Sequence, residues 1–140
     1  MKIMLAVDGS SYTKHMLAYV AVHDEWLGAK HDYTVLTVVP FMPPSAAALA
    51  GDSMIEAYYR EEAERVLKPI RAFFKKQGLS AEFIAQHGNV AAVIAKQAER
   101  GKFDLLVMGS HGHGRLANVI LGSVANRVLA HCTVPVLLVR

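Results

Sequence analysis

The run Met108-Gly109-Ser110-His111-Gly112-His113-Gly114-Arg115 sets three glycines within six positions, directly after the apolar stretch Phe103-Asp104-Leu105-Leu106-Val107. Glycine admits positive φ and lets a ligand come close to the main chain. A loop of exposed N–H groups ahead of a helix is a cradle for phosphate. Two phosphate templates approach this loop and fall short. Gly109 and Gly114 have the spacing of the ATPase P-loop, but Arg115 and Leu116 stand where its lysine and hydroxyl residue belong. Gly112, Gly114 and Ala117 have dinucleotide-binding spacing, yet they fall in the last β–α unit, and no acidic ribose ligand follows at the expected interval.

The other chemistry-bearing residues are few. Asp8-Gly9-Ser10-Ser11 closes the first apolar run. Asp8 is a candidate ligand, a magnesium partner through bound phosphates, or a helix cap shared with Ser10 or Ser11. His111 and His113 form His-x-His, but no third ligand stands near them in sequence, so a resident metal is not expected. Their alternatives are solvent exposure or a hydrogen bond to phosphate. Arg115 either neutralises phosphate or is a solvated loop residue. Phosphoryl transfer needs a metal, a clamping cation and a group that orients the nucleophile. The loop offers no lysine and no carboxylate, which favours binding over fast chemistry and leaves no residue assigned as catalytic.

These residues need a frame to bring them together. Lys2–Val7 (KIMLAV) is a continuous apolar run, as in a strand buried on both faces. A helical pattern follows over 12–26, then a β-branched strand over 33–39. Residues 40–52 hold three prolines and read as an unusually long loop, in the manner of a lid or contact surface. A helix is expected from Met54 to Lys76, with Glu56–Arg60, Glu61–Arg65 and Glu64–Lys68 as i,i+4 pairs. Strands at 81–87, 103–108 and 134–140 alternate with helices beginning at Gly88-Asn89 and at Val124. This alternation predicts an α/β domain over residues 1–140: a doubly wound five-stranded parallel sheet in the order 3-2-1-4-5, Rossmann-like. Ligands in such sheets bind beyond the carboxyl ends of the strands where strand order reverses. With the first and fourth strands at the centre, Asp8–Ser11 and Gly109–Gly114 face one crevice.

Composition narrows the partners. The chain has 140 residues, 53% hydrophobic and 19% charged, which is the balance of a packed core and not of a disordered chain. No apolar run reaches the ~18 residues of a membrane span. No signal-peptide pattern is visible, and Cys132 is the only cysteine, so a reducing cytoplasm is the expected compartment. Cys132 itself reads as a small apolar residue. The net charge is +3, and the excess lies in the last 40 residues, where Lys102, Arg115, Arg127 and Arg140 face only Asp104. That field suits a small anion near the glycines. Nucleic acid is not expected, because there is no dense basic stripe.

A third glycine spacing, Gly109-x2-Gly112-x9-Gly122-Ser123, resembles the G-x2-G-x9-G-[S/T] pattern of nucleotide-binding members of the universal stress protein family. Leu5-Ala6-Val7-Asp8-Gly9-Ser10 is similar to the family's opening, and Leu36-Thr37-Val38-Val39-Pro40 and Val134–Arg140 match its second and last strand ends. The resemblance spans nearly the whole chain, in order. It implies an adenine nucleotide alpha-hydrolase-like fold and an ATP-binding homodimer of the stress response, regulatory or protective, paired through the strand Val134–Arg140. It places adenine at Val38, Asp8 near the adenosine or ribose, and phosphates on Gly109, Gly112, Gly122, Ser123 and Val124, with Ala6, Val7, Met108, Ser110 and His113 as further nucleotide-binding residues. Ala125 departs from members with a hydroxyl there. A slow ATP hydrolase or phosphotransferase, and a dimeric scaffold that binds no nucleotide, remain the alternatives.

Overall fold

The computed structural model describes residues 1–114 and 118–140, so Arg115 lies outside the described residues. Five strands form one parallel sheet: β1 (Lys2–Val7), β2 (Asp32–Val39), β3 (Ala81–His87), β4 (Leu105–Gly109) and β5 (Val136–Val139), in the order β3-β2-β1-β4-β5. The expected architecture is therefore the observed one. The central strands β1 and β2 are buried along almost their whole length, whereas the edge strands β3 and β5 are largely half-buried. That difference follows from a helix layer on each face and a neighbour on each side for the central strands only.

Alternation along the strands sends successive side chains to opposite faces. On one face α1 (Ser11–Val22) and α4 (Asp52–Lys76) bury Met16, Leu17, Val66, Leu67, Ile70 and Phe74 against Ile3, Leu5, Val35 and Val107. On the other, α5 (Val90–Arg100) and α6 (Ser123–His131) bury Ile94, Ala98 and Val128 against Met4, Leu36 and Leu106. Each fully buried aliphatic side chain contributes about 1.5–3 kcal/mol.

Three local expectations change. The helix foreseen over 12–26 is two helices, α1 and α2 (Asp24–Leu27), because the backbone leaves helical geometry at His23 (φ −112°, ψ 51°). His23 stacks on the Tyr19 ring, 4.0 Å between centroids, and its Nδ1–H donates to the Tyr19 carbonyl at 2.8 Å, satisfying an acceptor of the last turn. The 40–52 segment contains a short helix, α3 (Pro44–Leu49); Pro44 fits its first turn because no N–H is needed there. In α4 the ion pairs are Glu62–Arg65 at 2.6 Å and Glu64–Arg71, rather than the i,i+4 pairs expected. Arg71 donates two bonds to Glu64, 2.9 and 2.6 Å, a planar fork that a lysine cannot offer.

The chain leaves β1 toward β2 and β3 on one side and returns to β4 and β5 on the other. The strand order therefore reverses at the carboxyl ends of β1 and β4, and a crevice opens there. Glu62, Arg65 and Val66, near the middle of α4, wall that crevice from the α4 face of the sheet.

Candidate functional site

At the end of β1, side-chain hydrogen bonds hold the chain. The Thr13 hydroxyl accepts the Asp8 N–H at 3.0 Å and donates to Asp8 Oδ1 at 2.9 Å. The same Oδ1 accepts the Ser10 N–H at 2.9 Å. Ser10, not Asp8, caps α1, its Oγ accepting from the Thr13 N–H. Gly9 turns the chain at φ +77°, a conformation that favours glycine. With Oδ1 taken, Asp8 Oδ2 is the oxygen that faces the glycine loop. A Cβ built on Gly112 would lie 2.6 Å from it.

At the end of β4 the glycines work by proximity. Positive φ is confined, among the glycines described, to Gly9, Gly78 and Gly88, so of the two properties of glycine this loop uses close approach. A Cβ on Gly109 would lie 2.7 Å from Tyr12 Cβ, and one on Gly122 would lie 3.0 Å from His111 Cα and 3.2 Å from the Ser110 carbonyl oxygen. Ser110 is 1% exposed. Its N–H donates to the Val139 carbonyl and its own carbonyl accepts the Gly122 N–H, both at 2.8 Å. The His111 Nε2–H donates to the Val119 carbonyl at 2.8 Å, which leaves Nδ1 to accept the Ser110 hydroxyl at 2.9 Å. The His113 Nε2–H donates to the Asp8 carbonyl at 2.7 Å, tying the glycine loop across to β1. Both histidines are thus occupied with main-chain or hydroxyl partners.

Helix α6 opens directly onto this loop. Its first intrahelical bond runs from the Asn126 N–H to the Gly122 carbonyl at 3.0 Å. The N–H groups of Ser123, Val124 and Ala125 consequently have no carbonyl within the helix to meet. Gly122, the N-cap residue, brings no side chain to cap them. The Gly122 N–H is already bound to Ser110, so the donor set begins at Ser123 rather than at Gly122.

Between these two strand ends lies a cavity of about 300 Å³. Of the expected site residues, Ala6, Val7, Asp8, Val38, Met108, Gly109, Gly112, His113, Gly122, Ser123 and Val124 line it. Ser110 does not; it pins the loop from behind. Val38 and Val39 close the β2 end with Pro40, and Val90 and Ile94 of α5 add apolar wall. The Val39 carbonyl accepts the Gly88 N–H, so strand alternation turns the Val38 peptide groups the other way. They face the β1 side, where the ladder has its last pair, Val7 with Thr37.

Several lining residues are not among the expected site residues, among them Thr13, and Glu62, Arg65 and Val66 of α4. Thr13 had a signal in its place, a hydroxyl in the first turn after an Asx turn. The α4 residues had none, because only the tertiary arrangement brings that helix over the end of β2. Among the described residues no three His, Cys, Asp or Glu side chains are grouped to hold a metal ion. None of the described helices is long and apolar enough to cross a membrane.

The order of strands, the crevice at the reversal point and the open start of α6 define a doubly wound α/β protein with a small-ligand cavity at its switch point. The family follows from comparison. The universal stress protein family model matches residues 1–140, and the chain belongs to that family. Universal stress protein MJ0531 of Methanocaldococcus jannaschii is 29% identical over 140 residues, covering 99% of this chain and 81% of that protein. A universal stress protein of Thermus aquaticus is 32% identical, covering 99% and 97%. The solved structure of MJ0577 superposes with a TM-score of 0.82 at 25% identity, covering 99% of this chain and 94% of its own. At lower identity, which speaks for the fold alone, two neighbours carry a nucleotide. One is a universal stress family protein of Arabidopsis thaliana with AMP bound, at 16% identity and TM-score 0.70, covering 99% and 90%. The other is the Archaeoglobus fulgidus protein in complex with dAMP, at 21% and 0.66, covering 100% and 98%.

Proposed function

We propose that the cavity holds an adenine nucleotide, ATP in particular, and that the chain is a nucleotide-dependent regulatory, stress-protective protein of the cytoplasm. The observation that carries this reading is the set of N–H groups of Ser123, Val124 and Ala125, open at the start of α6 and facing a loop whose glycines keep side chains out of the way. Such donors, with the positive end of the helix dipole, suit phosphate oxygens. The Val38 peptide groups suit the base, and the bound AMP and dAMP of the fold neighbours support an adenine ligand. Magnesium, if carried in on the phosphates, has Asp8 Oδ2 as its nearest carboxylate partner on the loop side. Hydrolysis is slow in this reading, since the loop supplies no lysine.

The test is nucleotide retained through purification and identified by mass, followed by calorimetry. ATP should bind at least about tenfold more tightly than AMP, because losing even one charge-assisted bond of about 1.5–3 kcal/mol amounts to a decade in affinity. Equal affinities would remove the triphosphate assignment.

The same reading makes the protein a homodimer through β5. This strand has β4 on one side only, and Val136, Leu137 and Leu138 are half-buried at its open edge. An apolar edge invites a second strand, and an antiparallel pairing with a second copy closes it. Leu137→Pro should convert dimer to monomer in sedimentation, since proline removes a ladder donor and clashes with the paired strand. A monomeric parent protein would overturn this.

A further inference from the structure

The cavity has two charged side chains that the nucleotide reading leaves without a task, and both come from α4. Glu62, Arg65 and Val66 lie on one face of that helix, at i, i+3 and i+4, and all three line the cavity. α4 packs on β2 and β3 from the face of the sheet opposite α6, with Val66 beside Gly9, so these residues stand across the strand ends from the α6 N-terminus. If phosphates occupy the α6 end, the α4 end receives the base. The cavity wall at the end of β2 is apolar: Val38, Val90 and Ile94 on the α5 face, with Val39 and Pro40, suit a flat ring. Among the described residues, Glu62 and Arg65 have only each other as ion-pair partners. Their side chains are 35% and 65% exposed, and a pair that open gains little from its own contact, so it can re-orient onto a ligand.

We propose that Glu62 and Arg65 read the edge of the purine, with Glu62 accepting from the 6-amino group and Arg65 donating to the ring nitrogen beside it. This rests on the nucleotide reading above and adds a base selectivity to it. The chemistry is directional. Adenine shows a donor at its 6-position next to the N7 acceptor, whereas a 6-oxo purine shows two acceptors there. An ionised carboxylate only accepts, so it meets the 6-amino group favourably and the 6-oxo group unfavourably. Arg65, as a donor, serves N7 of either base. Glu62 therefore sets the preference, and Arg65 adds affinity without one.

The experiment is calorimetry with ATP and ITP, which differ at the 6-position and at the adjacent N1 proton. The parent protein should bind ATP about tenfold more tightly than ITP, the low end of the effect expected when a partly solvated polar group is left unpaired. Glu62→Gln, whose amide both donates and accepts, should bring the two within about threefold. Arg65→Ala should weaken both nucleotides alike, by about tenfold, and keep the ratio. Glu64→Gln, on another face of α4 in the exposed pair with Arg71, should change neither affinity nor ratio. A parent ratio near unity, or an undiminished ratio in Glu62→Gln, would overturn the assignment while leaving nucleotide binding intact. Failure of the parent protein to bind any purine nucleotide would overturn both readings together.

Discussion

The carboxyl ends of β1 and β4 face each other across one cavity and are built on opposite principles. At β1 the polar groups satisfy one another: Asp8, Ser10 and Thr13 form a closed set of bonds of 2.9 to 3.4 Å, with Thr13 only 4% exposed. At β4 side chains are removed, and main-chain groups are held at close quarters by Gly109, Gly112 and Gly122. The first end is a finished scaffold that offers one spare oxygen, Asp8 Oδ2. The second is an unfinished helix start that offers a row of donors. A site for an anionic ligand needs both: a rigid wall fixes the position, and unspent N–H groups supply the attraction.

The largest expected effect comes from rebuilding the unfinished end. Gly122→Val should reduce ATP affinity by at least about a hundredfold, consistent with loss of two charge-assisted bonds. Its φ of −67° is open to any residue, so backbone strain is not the cause. The cause is space. The Cβ alone would sit 3.0 Å from His111 Cα, and valine adds two methyl groups. The glycine loop must then shift away from α6, straining the bond from the Gly122 N–H to the Ser110 carbonyl and displacing the donors beside it. Overpacking of this kind costs about 1–3 kcal/mol of stability as well. Calorimetry and thermal melting would read the two effects separately, and undiminished ATP binding would contradict the cradle.

The contrast also explains what could be read in advance. Strand alternation with helices, the continuous apolar runs of β1 and β2, and the Gly–Ser start of α6 are local patterns, and they carried the architecture of the sheet; the family resemblance carried the site residues at the strand ends. The glycine loop was recognised, but which of glycine's two properties it uses was not legible. Positive φ is a property of one residue, whereas the closeness of Gly109 to Tyr12 and of Gly122 to His111 exists only in the folded chain. The same holds for Ser110, which looks like a ligand residue in a string and is a buried pin in space. Glu62 and Arg65 were hidden for a further reason. A charged pair on an amphipathic helix looks like a solvated face until topology lifts that end of the helix above the sheet.

An intermediate effect should follow from opening the finished end. Thr13→Val keeps the shape of the side chain and deletes its hydroxyl. The Asp8 N–H then loses its acceptor, and Oδ1 keeps only the Ser10 N–H. Leaving a buried donor unmet costs about 1–3 kcal/mol, which denaturant melts would show. The freed carboxylate also loses its orientation toward Gly112, so ATP affinity should fall by less than in Gly122→Val. A variant as stable as the parent would mean that the β1 end does not depend on its side-chain bonds.

The smallest effect separates glycines packed against a neighbour from one that lines the cavity with free space at its Cβ position. Gly114 shares the loop with Gly109 and Gly112, yet a Cβ built on it meets nothing within 4 Å, and its φ lies outside the positive range. Gly114→Ala therefore adds a methyl group to open space in a backbone that alanine can adopt. The gain comes from the unfolded chain, which has fewer conformations to lose, and amounts to about 0.4–1 kcal/mol at most. Stability should be unchanged or slightly raised, and ATP affinity should stay within about twofold, inside the range expected of a substitution away from any contact. Gly109→Ala makes the paired measurement, because its Cβ would fall 2.7 Å from Tyr12 Cβ in the first turn of α1. If the two alanine variants lose binding equally, the loop acts through flexibility shared by all its glycines. If only Gly109→Ala loses binding, the loop acts through close contact at particular positions, as the difference between the two strand ends requires.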